Sequence, residues 1–179
     1  MFYTVKVKDY IRLPPEKFTE DINLSIISEI KKKYAGYISK ELNMVIDVLS
    51  VEKVEEGIII PGDGASYYDT TFCLLTFEPE LHEVIHGKIK DVADFGAFIT
   101  IGPIDGMIHI SQTMNDFVSF SKDKTLQGKD TKRFLRVNDR CIARIIAVSY
   151  KDIANPKLGL TMRQAGLGRE DWIEEDLKK

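Results

Sequence analysis

VIHGKIKDVADFGAFITIGPIDGMIHIS, residues 84–111, decides how the second half of this chain folds. Short alternating runs are cut at Gly87, Gly96, Gly102-Pro103 and Asp105-Gly106. Close-spaced strands with glycine corners predict a small antiparallel barrel, because glycine permits the sharp bends that closure requires. Alternation then sorts the side chains: if Ile89, Ala97, Ile99, Ile101, Ile108 and Ile110 fill the interior, then Lys88, Lys90, Phe98, Thr100, Met107 and His109 point out. Two later runs resume the pattern. VNDRCIARIIAVS (137–149) sends Cys141, Ala143 and Ile145 inward and Arg144 outward; KLGLTMR (157–163) sends Leu158, Leu160 and Met162 inward, leaving Lys157 and Arg163 outside.

A phenylalanine and a histidine beside two lysines are not what a core needs. They suit a single strand of RNA, which wants flat rings for its bases and cations for its phosphates. The other reading is that a loop or a partner protein covers Phe98 and His109, and alternation alone does not choose between them. Between the third and fourth strands runs a long connection, from about Gln112 to Arg136. It carries Lys122, Lys124, Lys129, Lys132, Arg133 and Arg136 against Asp116, Asp123 and Asp130. Such a segment extends an RNA surface, meets a partner, or is a mobile solvated loop.

The first half has a different rhythm. FYTVKV predicts a strand at Phe2 to Val7, broken by Leu13-Pro14-Pro15. Phe18, Ile22, Ile26, Ile30 and Tyr34 then recur every four residues, a helical spacing, with Glu16, Glu20 and Asp21 early, Lys31 to Lys33 late, and Gly36 as a stop. From Asn43 the pattern turns to β, and three strands are the simplest account: MVIDVLSVEKV, a second run after Gly57, and YYDTTFCLLTF. Pro61-Gly62-Asp63-Gly64, between the second and third, reads as a tight turn. No Lys-Ser/Thr follows it and no strand-to-helix junction is present, so it is not a phosphate cradle. Glu78-Pro79-Glu80 marks the boundary between a domain at 1–80 and one at 81–179.

Composition bounds the alternatives. The 179 residues, 44% hydrophobic and 30% charged, describe a folded chain, and no apolar run approaches the ~18 residues of a membrane span. With no signal-peptide core at the N-terminus, the expected location is the cytosol. The net charge of -3 hides an asymmetry: residues 1–80 carry 9 basic and 14 acidic side chains, residues 81–163 carry 13 and 9. A basic second half fits a weak, salt-sensitive nucleic-acid surface. Cys73 and Cys141 lie in apolar runs and read as buried thiols. His82 and His86 are four apart, but no helix is expected to bring them together on a metal. No nucleophile elbow, carboxylate pair or phosphate loop is present, so no catalytic site, metal or cofactor is expected.

In their order and spacing, Gly87 to Ile89, FGAF (95–98), DGMIHIS (105–111), VND (137–139) and LTMR (160–163) resemble the RNA-binding OB repeat first described in a large ribosomal protein of the small subunit. Together with LPP (13–15), PGDG (61–64), YYDTTFCLLTFEP (67–79), IGPIDG (101–106) and MRQAGLG (162–168), the whole chain resembles the E-prime family of archaeal RNA polymerase stalk proteins. That family is similar to the seventh subunit of eukaryotic RNA polymerase II. The resemblance implies an α+β protein of two domains: an N-terminal truncated ribonucleoprotein-like helix-and-sheet domain and a C-terminal five-stranded OB-fold barrel. It implies a non-catalytic stalk subunit in the archaeal cytosol, forming a heterodimer with the F subunit of RNA polymerase, docking on the polymerase core and binding nascent single-stranded RNA. It also implies an RNA face at Lys88, Lys90, Phe95, Phe98 and His109, with Arg144 as an addition. The implied polymerase-docking tip is Ile59, Ile60, Pro61, Gly62, Asp63 and Gly64. The rival expectation is a free-standing RNA-binding factor, an exosome or translation component using the same barrel. The resemblance assigns nothing to the basic connection, and the acidic end REDWIEEDLKK is either a short helix docked through Trp172 or mobile.

Overall fold

In residues 43–54 valine recurs at every third position, Val45, Val48, Val51 and Val54, a spacing that neither a helix nor a flat strand uses. The computed structural model, which describes residues 1–19, 21–121, 123–149 and 156–178, shows why. Strands β1 (Phe2–Leu13), β2 (Ile38–Ser39), β3 (Asn43–Ile59) and β4 (Ser66–Phe77) form an antiparallel sheet in the order β1-β4-β3-β2. Against β4, strand β3 slips register between Val45 and Asp47, Val48 and Ser50, Val51 and Lys53, and Val54 and Gly57. The first three slips each insert one extra residue, so the face that packs inward comes round every third residue instead of every second. Val45 and Val48 enter the core with Ile11, Ile26, Ile30, Tyr34, Phe72 and Leu74, and Val51 and Val54 pack at its edge. The two strands expected across residues 44–60 are therefore one strand that runs through Gly57. β1 is likewise longer than Phe2 to Val7, because all of Phe2–Leu13 finds partners on β4.

Helix α1 (Ile22–Tyr34) lies against this sheet through Ile26, Ile30 and Tyr34. It begins later than the four-residue repeat implied. Pro15–Lys17 makes a separate 3-10 turn, and the Asp21 carboxylate caps the helix by accepting from the amides of Asn23 (2.8 Å) and Leu24 (3.3 Å). Phe18 is therefore outside the helix, and Glu20 falls outside the described residues. At the other end Lys31 and Lys33 pair with Asp47 and Asp9, and the Tyr34 hydroxyl also donates to Asp9. Burial works against ionisation of Asp9, but the Lys33 and Tyr34 hydrogen bonds outweigh it and hold this carboxyl below its usual range.

The second unit begins at Pro79. Strands β5 (Val84–Ala93), β6 (Gly96–Thr100) and β7 (Asp105–His109) form a meander. The chain next makes a 3-10 turn (Ile110–Gln112) and a small antiparallel sheet of β8 (Val118–Ser121), β9 (Thr125–Gly128) and β10 (Phe134–Arg136). β11 (Arg140–Ser149) then pairs with β5 through its first half and with β12 (Lys157–Thr161) through its second, with a bulge between Ile145 and Ala147. Because β12 also lies parallel to β7, the five strands close into a barrel. Gly96 is required at one corner: a Cβ there would sit 2.2 Å from the Ile108 carbonyl oxygen.

Ile89, Val92, Ala97, Ile99, Ile108, Cys141, Ala143, Ile145, Leu158 and Leu160 are buried. Ile101 and Ile110, expected inside, are only half-buried because each falls just past the end of its strand; Ile104, in the following turn, is buried instead. Both cysteines are buried free thiols, and burial pushes Cys141 up to about 12.

One carboxylate ties two parts of the long connection together. Asp116 accepts from the amides of Phe117 (2.6 Å), Asp130 (3.0 Å) and Thr131 (2.8 Å) and from the Thr131 hydroxyl (2.7 Å), which closes the segment across fifteen residues. These bonds, Thr131's first, hold Asp116 below its usual carboxylate range. Lys122, one of its basic residues, lies outside the described residues. β13 (Gly168–Arg169) adds to β11, and α2 (Glu170–Leu177) docks through buried Trp172, over which the Arg133 guanidinium sits at 5.6 Å. The acidic end is thus a docked helix.

The every-third-residue packing of β3 gives a sharp test. Val48 is 7% exposed and its neighbour Leu49 52%. Val48→Asp buries an unpaired carboxylate and unfolds the first unit, whereas Leu49→Asp changes stability by less than about 1 kcal/mol. Urea denaturation followed by circular dichroism measures both.

Candidate nucleic-acid interface

The outer face of the barrel is built in cross-strand rows. Phe98 on β6 stands opposite Met107 on β7, Met107 opposite Gly159 on β12, and Gly159 opposite Ala147 on β11. The two small residues leave a floor: a Cβ on Gly159 would lie 3.3 Å from that of Ala147. The result is a groove of about 940 Å³ with Phe98, Met107 and His109 on one side and Ile146 and Lys157 on the other. Phe95, at the turn into β6, is exposed, and its ring meets that of Phe98 edge-on, with centroids 6.0 Å apart at 85°. That edge contact holds Phe98 in place while leaving ring surface for a further partner.

His109 ends β7 opposite Gly96, which has no side chain to cover it. The Ser111 amide donates to its Nδ1 at 3.3 Å and the Ser111 hydroxyl lies 2.8 Å from the same atom. A ring nitrogen that accepts from an amide carries no proton, so in the neutral ring Nε2 is the donor. Stacking by Phe98 and a directed N–H from His109 are what an unpaired base can use.

The cations are not equivalent. Lys88 and Lys90 flank Ile89 on β5, but Lys90 is the extra residue of a bulge between Ile89 and Asp91, and its ammonium pairs with Asp105. Arg144 is away from the rings: it donates to Gln164 Oε1 at 2.6 Å, its Nε is buried, and it does not line the groove. Lys124 of the small sheet pairs with Asp91 (2.8 Å), Arg133 with Asp176, and the Arg136 guanidinium lies 4.4 Å from the centroid of Phe134. Much of the connection's positive charge therefore serves the fold.

Outward Gly159 was visible in the alternation of KLGLT, since it falls between Lys157 and Thr161, but its value as a floor needed the pairing with β11. Arg140, exposed and directly opposite Lys88, was not singled out by sequence.

The turn at residues 61–64 forms a second exposed feature, on the first unit. Gly62 (φ 99°) and Gly64 (φ 68°) adopt left-handed backbone, which glycine enters without Cβ strain. Between them Asp63 reaches back to the sheet: Arg12 donates through Nε (2.9 Å) and Nη2 (2.6 Å), and the Tyr67 hydroxyl donates as well. Arg12 and Tyr67 are themselves paired across β1 and β4, so one carboxylate joins the turn to two strands. Ile59 is 66% exposed and Ile58 and Ile60 are also exposed, an apolar edge beside a fixed turn.

Residues 8–64 match the SHS2 domain found in N terminus of Rpb7p/Rpc25p/MJ0397, and residues 78–153 match the S1 RNA binding domain. DNA-directed RNA polymerase subunit Rpo7 of Sulfolobus acidocaldarius is 34% identical over 180 residues, spanning 100% of this chain and 98% of its own length. The chain belongs to the Rpo7 family.

DNA-directed RNA polymerase III subunit RPC8 of Bos taurus is 30% identical over 122 residues, 68% of this chain and 60% of its own. Small ribosomal subunit protein bS1 of Staphylococcus aureus is 39% identical over 70 residues, but that is 39% of this chain and 18% of its own. The barrel is thus the shared S1 module, an OB-fold, while the full length follows the polymerase subunits. As a member of the Rpo7 family the chain is a non-catalytic subunit of a nucleotidyltransferase complex, DNA-directed RNA polymerase. His82 precedes β5 and His86 lies on it, so no helix joins the two. Among the described residues no group of metal-ligating side chains gathers, and no helix is long and apolar enough to cross a membrane.

Asp63 supplies a pH test. The Arg12 guanidinium, with the Tyr67 hydroxyl, lowers its carboxyl to about 2, below its unperturbed 3.8. A depressed folded pKa contributes stability that is fully present above pH 3.8 and is lost as pH falls through about 2. Asp63→Asn therefore melts only slightly below the wild type at neutral pH, since solvent screens an exposed pair, and the two melting temperatures converge across that acid window in thermal scans.

Proposed function

We propose that the barrel holds nascent single-stranded RNA while the first unit, in a heterodimer with the polymerase's F subunit, anchors it to the polymerase core as part of the stalk, in the cytosol. The observation that carries the RNA reading is the row of Phe98 and Met107 over a floor of Gly159 and Ala147, flanked by Phe95 and His109, on a unit that matches the S1 RNA binding domain. A base laid in the groove stacks on Phe98 and accepts from His109, and Lys88, with Lys90 beside it in its pair with Asp105, attracts the backbone. Arg144, bound to Gln164, lies outside the groove. Stacking contributes about 1 to 3 kcal/mol per base and tolerates any sequence, as a transcript of changing sequence requires. The rival, a free-standing RNA-binding factor, is disfavoured by full-length similarity to polymerase subunits against similarity to bS1 over 70 residues alone.

Docking on the core is assigned to Ile59, Ile60, Pro61, Gly62, Asp63 and Gly64. An apolar edge next to a turn fixed by Arg12 offers a preformed contact that loses little entropy on binding.

Replacing Phe98 and His109 together with alanine weakens binding of a labelled oligoribonucleotide by the heterodimer about ten-fold or more, with assembly on the polymerase unchanged. Fluorescence anisotropy and gel filtration read the two outcomes; unchanged affinity at low salt overturns the RNA face. Replacing Gly62 and Gly64 with valine has the opposite profile, impairing retention by immobilised polymerase core while RNA affinity stays near wild type. Loss of RNA affinity with normal retention would remove the tip assignment.

A further inference from the structure

Lys88 and Arg140 occupy an unfavourable arrangement for a protein that binds nothing there. They are directly opposite across β5 and β11, and both are exposed. Directly opposed residues of an antiparallel pair share a face with Cβ atoms about 4.5 to 5.5 Å apart, and like charges at that spacing destabilise the pairing. Neither side chain has an ion pair or a hydrogen bond with any described residue.

The contrast with neighbouring cations is marked. Lys90 is taken by Asp105, Lys124 by Asp91, Arg144 by Gln164 and Arg133 by Asp176. Asp139, next in sequence to Arg140, accepts instead from the Arg136 amide and pairs with Arg169.

We propose that Lys88 and Arg140 together grip one backbone phosphate of the single-stranded RNA whose bases lie along the barrel's outer face. The inference rests on the RNA reading above and deepens it by adding Arg140. On its other side Lys88 faces Thr100, and Phe98 is two residues from Thr100 on the same face. That diagonal, about 7 to 8 Å, is comparable to the reach from a phosphate to its own base, so a base stacked on Phe98 puts its phosphate beside the pair. An anion between the two cations turns repulsion into two charge-assisted hydrogen bonds, with the forked Arg140 guanidinium giving direction and Lys88 a point charge.

Sharing a single phosphate distinguishes this clamp from two independent surface cations. The full chain is compared with Lys88→Met, Arg140→Met and the double variant, using a labelled oligouridylate of about 12 nucleotides as probe. A shared phosphate predicts that each single change costs nearly as much affinity as both, about ten-fold. The slope of log affinity against log salt falls by about 0.7 in the double variant, the value for one phosphate on a single strand. Without RNA the double variant melts at or above the wild type, because the repulsion is gone. Additive losses with a slope change of about 1.4 overturn the shared phosphate. A lower melting temperature without RNA makes the pair a structural contact and also overturns it. If affinity is unchanged in the double variant while Phe98→Ala with His109→Ala still weakens binding, the clamp fails and the RNA face stands. If neither variant pair weakens binding, both fail.

Discussion

Closure of the barrel is the constraint on which the rest of the second unit depends. Five strands close only because β11 serves two partners, giving Arg140–Arg144 to β5 and its later residues, across the bulge at Ile145, to β12. The parallel pairing of β12 with β7 completes the circuit. Once the interior is filled by Ile89, Ala97, Ile99, Ile108, Ala143, Ile145 and Leu160, every intervening side chain must stand outside. Phe98, Met107 and His109 are therefore on the surface as a consequence of closure, and Gly159 and Ala147 turn that surface into a groove.

The first unit solves a different problem with the same backbone chemistry. A long strand paired with a shorter one must absorb the excess residues, and β3 does so by a register slip about every third residue. Repeated bulges strengthen twist and let the strand follow α1 while keeping Val45, Val48, Val51 and Val54 on one face. At the end of that strand the chain leaves the sheet through the turn at Pro61, and Asp63 returns it to Arg12 and Tyr67. A salt bridge at an exposed site contributes little to global stability; its use here is to fix the geometry of an apolar projection.

Charge in the second unit is divided between holding the fold and facing outward. The connection between β7 and β11 reads in sequence as a basic segment available to RNA or to a partner. It folds into the small sheet of β8, β9 and β10, tied across by the Asp116 carboxylate, and Lys124, Arg133 and Arg136 are engaged internally. Arg144, sorted outward with the other cations, donates to Gln164, twenty residues away, and does not line the groove. Lys88 and Arg140 are the reverse case, left facing each other with no acidic partner among the described residues.

Sequence by itself determined the barrel, the inward and outward sorting of Ile89, Phe98, Ile108 and His109, the glycine turn at residues 61–64 and, through whole-chain motifs, the polymerase family. Each is a local property: alternation with period two, a glycine where the backbone must bend, or a motif at fixed spacing. It missed the unity of β3, since the bulges that convert period two into period three arise only from pairing with β4. It also placed Ile101 and Ile110 too deep, because strand ends are set by the partner strand. Only the tertiary structure decided which cations are free, since Lys90, Arg144 and Arg12 find their partners on other strands or turns. Alternation fixes the side of a strand on which a residue stands; which neighbour it meets there depends on register, and register is a property of two strands.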